Sequence, residues 1–164
     1  MIIGIKCVGG IISLISGTLS SKKVSFTAVM IALVAVTTLS LRLPITVTGG
    51  YINFGDAAVI LSGILFGPFV GGFAGGVGSG LADILGGYAH WAPFTLVIKG
   101  SEGLIVGFAS RKFDNYVILM IFTVLAGLVM VVGYFITEIY LYGYPAAITE
   151  LLGNLVQIIA GIIG

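Results

Sequence analysis

Polar side chains recur at helical spacing inside otherwise apolar sequence. Glu150, Asn154 and Gln157 occupy positions i, i+4 and i+7 of the last apolar stretch. With 3.6 residues per turn, this spacing puts all three on one face of a helix. Carboxylate and amide groups on one face can hydrogen-bond a polar solute. An earlier apolar stretch repeats the pattern with Thr95, Lys99 and Glu102.

These groups are costly if the stretches cross a membrane. An ionisable side chain at the bilayer centre costs about 2.5–3.5 kcal/mol on insertion scales, so it needs a partner, water or a ligand. Two polar faces turned toward each other would line a cavity. The alternative is a structural ion pair of Lys99 with Glu102 or with Glu150, without a ligand. Both can hold, since a paired charge can still orient a solute.

The composition indicates a membrane protein. Of the 164 residues, 59% are apolar and 8% are charged, and the mean hydropathy is +1.23. Soluble domains are about 25% charged, so a water-exposed globule is excluded. The net charge of +1 does not suggest a nucleic-acid binder. Cys7 is the only cysteine, which excludes a disulfide framework.

The apolar stretches predict an all-α integral membrane protein with a bundle of six transmembrane helices. A polar break at Lys22 and Lys23 separates a hydrophobic N-terminal segment, 1–23, from a six-helix domain, 24–164. We expect the N-terminal segment to be retained, because no A-x-A cleavage signal follows it. The predicted spans are 24–41, 55–66, 69–85, 94–109, 116–136 and 146–164.

Basic residues orient these spans. Lys22, Lys23, Arg111 and Lys112 all fall on one side of a six-span topology, which the positive-inside rule makes the inner side. Both polar faces then start near the outer surface and descend into the membrane. A cavity between them would open to the outside. The loops placed outside are 42–54, 86–93 and 138–145.

Two aspartates lie near the predicted outer ends of their spans. Asp56 begins the second span, where it can cap a helix N-terminus. Asp83 lies in the last turn of the third span, where the helix dipole disfavours a negative charge. We therefore expect a partner for Asp83, with Lys99 and Arg42 as candidates.

Aromatic side chains crowd the outer loops. Interfacial belts account for most Tyr and Trp residues of membrane proteins. Flat rings such as Tyr88 and Trp91, beside amides and carboxylates, also suit a planar heterocycle. His90 is the only histidine, and the sequence shows no metal-ligand cluster, nucleophile–base pair or phosphate-binding motif. We therefore expect neither an enzyme nor a bound cofactor or metal.

Small residues at four-residue spacing mark close helix contacts. The third span carries Gly72, Gly76 and Gly80, with Gly71 and Gly75 offset by one position. Internal packing is the expected role of these glycines and of Gly103 and Gly107. A second stripe on the first span can pack internally or face a partner subunit, and it consists of Ala28, Ala32 and Ala35.

A series of glycine, proline and polar positions carries a family resemblance. The chain resembles the substrate-binding (S) components of energy-coupling-factor (ECF) vitamin transporters, most closely the riboflavin-type group. The resemblance covers residues 24–164 and is most specific over 50–110. The positions are Gly55-Asp56, Gly63, Gly67-Pro68, Gly78-Ser79, Asp83, Gly87-Tyr88, Pro93, Thr95 and Lys99-Gly100.

The resemblance implies a six-helix protein of the prokaryotic plasma membrane with a site near its outer face. It implies no ATPase activity of its own, but assembly with a transmembrane coupling subunit and two ATPase subunits. Ala28, Ala32 and Ala35 match the small-residue contacts of such proteins. Matched by location alone, the family's binding positions correspond to Asn53, Lys99, Glu138, Glu150 and Asn154.

The leading hypothesis is a binding subunit for a water-soluble vitamin or precursor: riboflavin, a pyridoxine-like compound or a thiamine pyrimidine. Lys99 would supply a charge, and Trp91 or Tyr88 would stack on the ligand. Hydrogen bonds would come from Glu150, Asn154 and Gln157. One alternative is a structural or assembly membrane protein with a dry interior in which Lys99 is already paired. Another is a solitary secondary transporter, although the sequence shows no clear internal repeat.

Overall fold

A computed structural model describes residues 21–40, 42–45 and 50–163 of the chain. Within these ranges it shows six helices, as the sequence predicts, and one β-hairpin, which it does not predict. Most of the N-terminal segment, residues 1–20, lies outside the described residues. The helices are α1 (Ser21–Ser40), α2 (Gly55–Phe66), α3 (Pro68–Gly86), α4 (Ala92–Lys112), α5 (Tyr116–Tyr142) and α6 (Tyr144–Ile163).

Five of these helices are long and apolar enough to cross a membrane, whereas α2 has only 12 residues. Gly67 and Pro68 end α2 and begin α3. Gly67 has a φ of 86°, which favours glycine. Pro68 stands at the start of α3, where its missing N–H costs no helical hydrogen bond. The turn between α2 and α3 lies beside Arg111, which donates from Nη2 to the Leu65 carbonyl at 3.2 Å.

Two predicted loops are wrong in part. Within the predicted loop 42–54, strand β1 (Arg42–Ile45) pairs antiparallel with β2 (Gly50–Asn53). The predicted loop 138–145 is largely helical, because its apolar and aromatic residues continue α5 to Tyr142. Gly143, with a φ of 86°, then separates α5 from α6. Glu138 therefore lies on a helix, four residues after Tyr134 and on the same face.

Glycines bring α3 and α4 into backbone contact, which confirms the expected internal packing. A Cβ atom on Gly103 would collide with the Gly71 carbonyl oxygen, and one on Gly75 with the Lys99 carbonyl oxygen. The five residues Ala74–Gly78 form a π-helical turn within α3. Close contact through glycine sets the position of α4, and with it the position of the Lys99 side chain in the bundle.

Candidate functional site

A polar cavity lies in the half of the bundle opposite the basic ends of α1 and α4. Helices α1, α3, α4, α5 and α6 line it together with strand β2. The space between its walls is about 430 Å³ with the opening included, but the centres of water molecules can reach only about 30 Å³. That volume holds about two waters. The cavity is therefore narrow, and even a ligand of one ring needs its walls to move.

Seven of the eight binding residues predicted from the sequence line this cavity. The exception is Tyr88, whose ring packs on Tyr51 with 4.8 Å between centroids. The seven lining residues are Asn53, Trp91, Lys99, Glu138, Glu150, Asn154 and Gln157.

Other lining residues were not selected as binding residues from the sequence. Tyr134 could have been found, because it shares a face of α5 with Glu138. Thr38 and Ser79 give no such signal, since single hydroxyl side chains are common inside membrane helices. Tyr51 belongs to the hairpin, whose fold the sequence pattern did not predict.

The Lys99 ammonium group pairs with two carboxylates inside the bundle. It donates to Asp56 of α2 and, at 3.1 Å, to Glu102 of its own helix. The Gln157 amide donates to both carboxylate oxygens of Asp56, at 3.2 and 3.1 Å. Its Oε1 accepts the Asn53 backbone N–H at 3.0 Å. A continuous buried network therefore joins α4, α2 and α6 to the end of the hairpin.

This network shows which carboxylates pair with Lys99. The Lys99–Glu102 pair is present, whereas in the described part of the chain Lys99 forms no salt bridge with Glu150. Asp56 does not cap its helix with a side-chain hydrogen bond, so the capping expectation is wrong. Its carboxylate turns into the bundle because the buried ammonium and amide are stronger partners there than backbone N–H groups near water.

Other residues that line the cavity hold buried polar atoms without hydrogen-bond partners. Glu138 receives one hydrogen bond, from Asn154 Nδ2 at 3.3 Å, but its Oε2 has none. Native proteins leave few such atoms, and each of these can bind water or a ligand. Among the described residues that line the cavity, the unpartnered atoms are Thr38 Oγ1, Asp83 Oδ2, Trp91 Nε1, Glu138 Oε2 and Glu150 Oε1.

The hairpin is attached to the cavity through Tyr51. Its hydroxyl donates to Asp83 Oδ1 at 2.6 Å. Asp83 therefore has the partner expected for it, but that partner is Tyr51 rather than Lys99 or Arg42. Burial raises the pKa of the Tyr51 phenol, which keeps it protonated as a donor. The Arg42 guanidinium lies 5.5 Å from the Tyr51 ring centre and 6.0 Å from that of Tyr88.

Tyr51→Phe is expected to loosen the hairpin. The change removes a hydrogen bond to a carboxyl group, of a kind that contributes about 1.5–3 kcal/mol. Amide hydrogen exchange over residues 50–53 should speed up by about tenfold or more. Mass spectrometry of the ligand-free protein measures this. Tyr140→Phe is the control, since Tyr140 is 81% exposed. Equal exchange in both variants would show that the Tyr51–Asp83 bond does not hold the hairpin.

Aromatic rings form the rim of the cavity around Trp91. The indole is only 4% exposed, and its centroid lies 6.0 Å from that of Tyr134 and 5.9 Å from that of Tyr142. His90 Nε2 and the Tyr142 hydroxyl are 2.9 Å apart. Trp91 is the only tryptophan of the chain, so its fluorescence reports on this cavity alone.

A bundle of membrane-spanning helices that encloses unpartnered polar groups is typical of membrane proteins that bind small polar solutes. The model of one family, described as ECF-type riboflavin transporter, S component, matches residues 7–164. The chain belongs to this family. It is therefore a multi-pass cell-membrane protein and a transporter component, not an enzyme.

Two relatives are similar in sequence to most of this chain. An uncharacterized protein of Pyrococcus woesei, described by its position in the gap 3' region, is 53% identical over 130 residues, or 79% of this chain and 87% of the relative. The thiamine precursor transporter HmpT of Lactococcus lactis subsp. cremoris (strain MG1363) is 32% identical over 143 residues, or 87% of this chain and 82% of the relative.

Proposed function

We propose that this chain is the substrate-binding subunit of an ECF-type importer, and that its cavity captures a small single-ring vitamin precursor from outside the cell. The observation that carries the proposal is the group of five buried polar atoms around the cavity that have no hydrogen-bond partner in the described residues. A structural protein without a ligand would pair these atoms with one another. Lys99 shows such pairing, whereas Glu138 Oε2 and Glu150 Oε1 receive no hydrogen bond from the donor groups of the described residues.

The size of the cavity supports a single ring over a flavin. Riboflavin has three fused rings and a ribityl chain, whereas the water-accessible space is about 30 Å³. A pyrimidine or pyridine needs a smaller displacement of the walls than a flavin does. The name of the Lactococcus relative, a thiamine precursor transporter, supports the pyrimidine. We therefore favour the aminopyrimidine precursor of thiamine as the first compound to test.

Binding to the purified protein in detergent or nanodiscs tests the proposal. Trp91 fluorescence would be titrated with the aminopyrimidine alcohol from which thiamine is built, with pyridoxine and with riboflavin, and calorimetry would check each titration. We expect the aminopyrimidine to bind most tightly. Failure of every compound to bind would contradict the proposed function. Uptake into vesicles by this chain alone would instead indicate a solitary secondary transporter.

We further propose that α1 forms part of the contact with the coupling subunit, through which the ATPase subunits drive uptake. Ala28 and Ala32 are exposed on α1, whereas Ala35 is buried at 8% exposure. Exposed alanines flanked by Val29 and Val36 leave a shallow apolar surface on which another helix can pack closely. In this proposal Ala28 and Ala32 contact the coupling subunit directly. Ala35 is buried within the bundle and contributes to the packing of α1 against its neighbours.

Ala32→Trp is expected to abolish uptake by the complete transporter while ligand binding to the isolated subunit stays unchanged. The indole would hold two helices apart where the alanine allows contact. Co-purification with the coupling subunit and vesicle uptake measure the loss. Leu152→Trp on α6 is the control, because Leu152 is 71% exposed on another helix. If the Ala32→Trp variant assembled normally with the coupling subunit, α1 would not be part of the interface.

A further inference from the structure

Almost all the acidic residues of the chain converge on one place. The chain has six Asp and Glu residues, and Asp114, in the turn between α4 and α5, is the exposed one. The other five are each no more than 5% exposed. Three of them line the cavity, and Asp83 among these accepts from Tyr51. The other two pair with Lys99, which lines the cavity as well. The five are Asp56, Asp83, Glu102, Glu138 and Glu150.

Fewer positive than negative side chains lie beside these five acidic residues. Among the described residues, the salt bridges of these acids are those of Lys99 with Asp56 and Glu102. Arg42 donates from Nε to the Leu39 carbonyl at 3.1 Å and stacks over two tyrosine rings. Glu138 and Glu150 thus lack a cationic partner, and buried carboxylates without one are unfavourable.

Glu138 and Glu150 are arranged to meet a common ligand. They come from adjacent helices, α5 and α6, and both line the cavity. Each has one buried oxygen without a hydrogen-bond partner in the described residues, Oε2 of Glu138 and Oε1 of Glu150. Two acceptors on neighbouring carboxyls suit a ligand edge that offers two N–H donors. The Trp91 Nε1 donor at the rim lacks a partner as well, and it can serve one acceptor on the ligand.

Building on the proposed function, we propose that the substrate binds as a protonated nitrogen base, and that Glu138 and Glu150 are its specificity-determining residues. An exocyclic amino group and the protonated ring nitrogen beside it donate to the two carboxylates. The charge of the ligand replaces the cation that these carboxylates lack. The same excess of carboxylates repels phosphate esters and carboxylic acids, so the subunit selects the free base over its phosphorylated forms.

Glu138→Gln and Glu150→Gln test the role of the carboxylates. Each change keeps the side-chain shape and removes a charge. We expect the affinity for the aminopyrimidine to fall by about tenfold to one hundredfold, the range of a charge-assisted hydrogen bond. The melting temperature of the empty protein should stay equal or rise, because an uncompensated buried charge is gone. A purely structural role would instead lower the melting temperature and leave the affinity of the folded fraction unchanged.

Asp114→Asn is the matched control, since it removes the same charge from an exposed position and should change neither quantity. A ligand series completes the test. The analogue with an oxo group in place of the amino group, and the phosphate monoester of the aminopyrimidine alcohol, should each bind at least tenfold more weakly. Tight binding of the aminopyrimidine that is insensitive to both glutamine variants would overturn this inference alone. Absence of binding by every compound would overturn the proposed function and this inference with it.

Discussion

Lys99→Met is expected to destabilise the protein more than any other single change in the buried network. Lys99 is 1% exposed and donates to two carboxylates that are each 1% exposed. Removing one partner of a buried ion pair typically costs 3–5 kcal/mol, because the remaining charge is left uncompensated. Here two carboxylates would be left in the interior of a membrane bundle. We expect a large fall in melting temperature, or failure to purify as a monodisperse protein.

The measurement is thermal unfolding of the empty protein in detergent. Lys112→Met, at the exposed inner end of α4, is the control for loss of a positive charge. The triple variant Lys99→Met, Asp56→Asn, Glu102→Gln should recover part of the lost stability, since it removes all three charges together. A Lys99→Met protein as stable as the Lys112 control would show that the ammonium does not compensate Asp56 and Glu102.

Gly103→Ala is expected to have the second largest effect, through the contact of α3 and α4. The new methyl group would collide with the backbone of Gly71, which no side-chain rotation can relieve. Overpacking usually costs 1–3 kcal/mol and occasionally more, and we expect about 3 kcal/mol or more because both contacting groups are backbone. Separation of α3 from α4 would also displace Lys99, one turn earlier on α4, so ligand affinity should fall together with stability.

The control is Gly100→Ala on the same helix. Its added methyl group would lie 3.5 Å from the Gly72 carbonyl oxygen, which is ordinary contact. Alanine is favoured over glycine in a helix by about 1 kcal/mol, so this variant should be neutral or slightly more stable. The free energy of unfolding in mixed micelles compares the two. Similar values for both variants would mean that the helices separate at little cost.

The cavity combines two kinds of wall with different tasks. The network from Glu102 through Lys99, Asp56 and Gln157 to the Asn53 backbone has its hydrogen bonds made in the empty protein. It holds α2, α4 and α6 and the end of the hairpin in place. The wall with Glu138 and Glu150 keeps unpartnered oxygens. We therefore expect the first wall to position the site and the second to bind the ligand.

The sequence by itself determined the membrane bundle, its helix count and most of the cavity-lining residues. These follow from local rules: few charges, apolar stretches of spanning length, and polar residues at i, i+4 and i+7 that share a helix face. The cost of burying such residues also predicts that they face inward. Their spacing alone places three of these residues on one face of α6, whatever the neighbouring helices are: Glu150, Asn154 and Gln157.

The tertiary structure alone decided which of these groups are partners. Lys99 pairs with Asp56, which lies 43 positions away in sequence, and Tyr51 with Asp83, 32 positions away. Such pairs depend on how helices are rotated and how closely glycines let them approach, and spacing along one helix carries no information about either. The hairpin likewise exists because two short segments meet each other, since a strand has no hydrogen bonds of its own. For the same reason, only the assembled bundle shows that Glu138 and Glu150 remain without a positive partner.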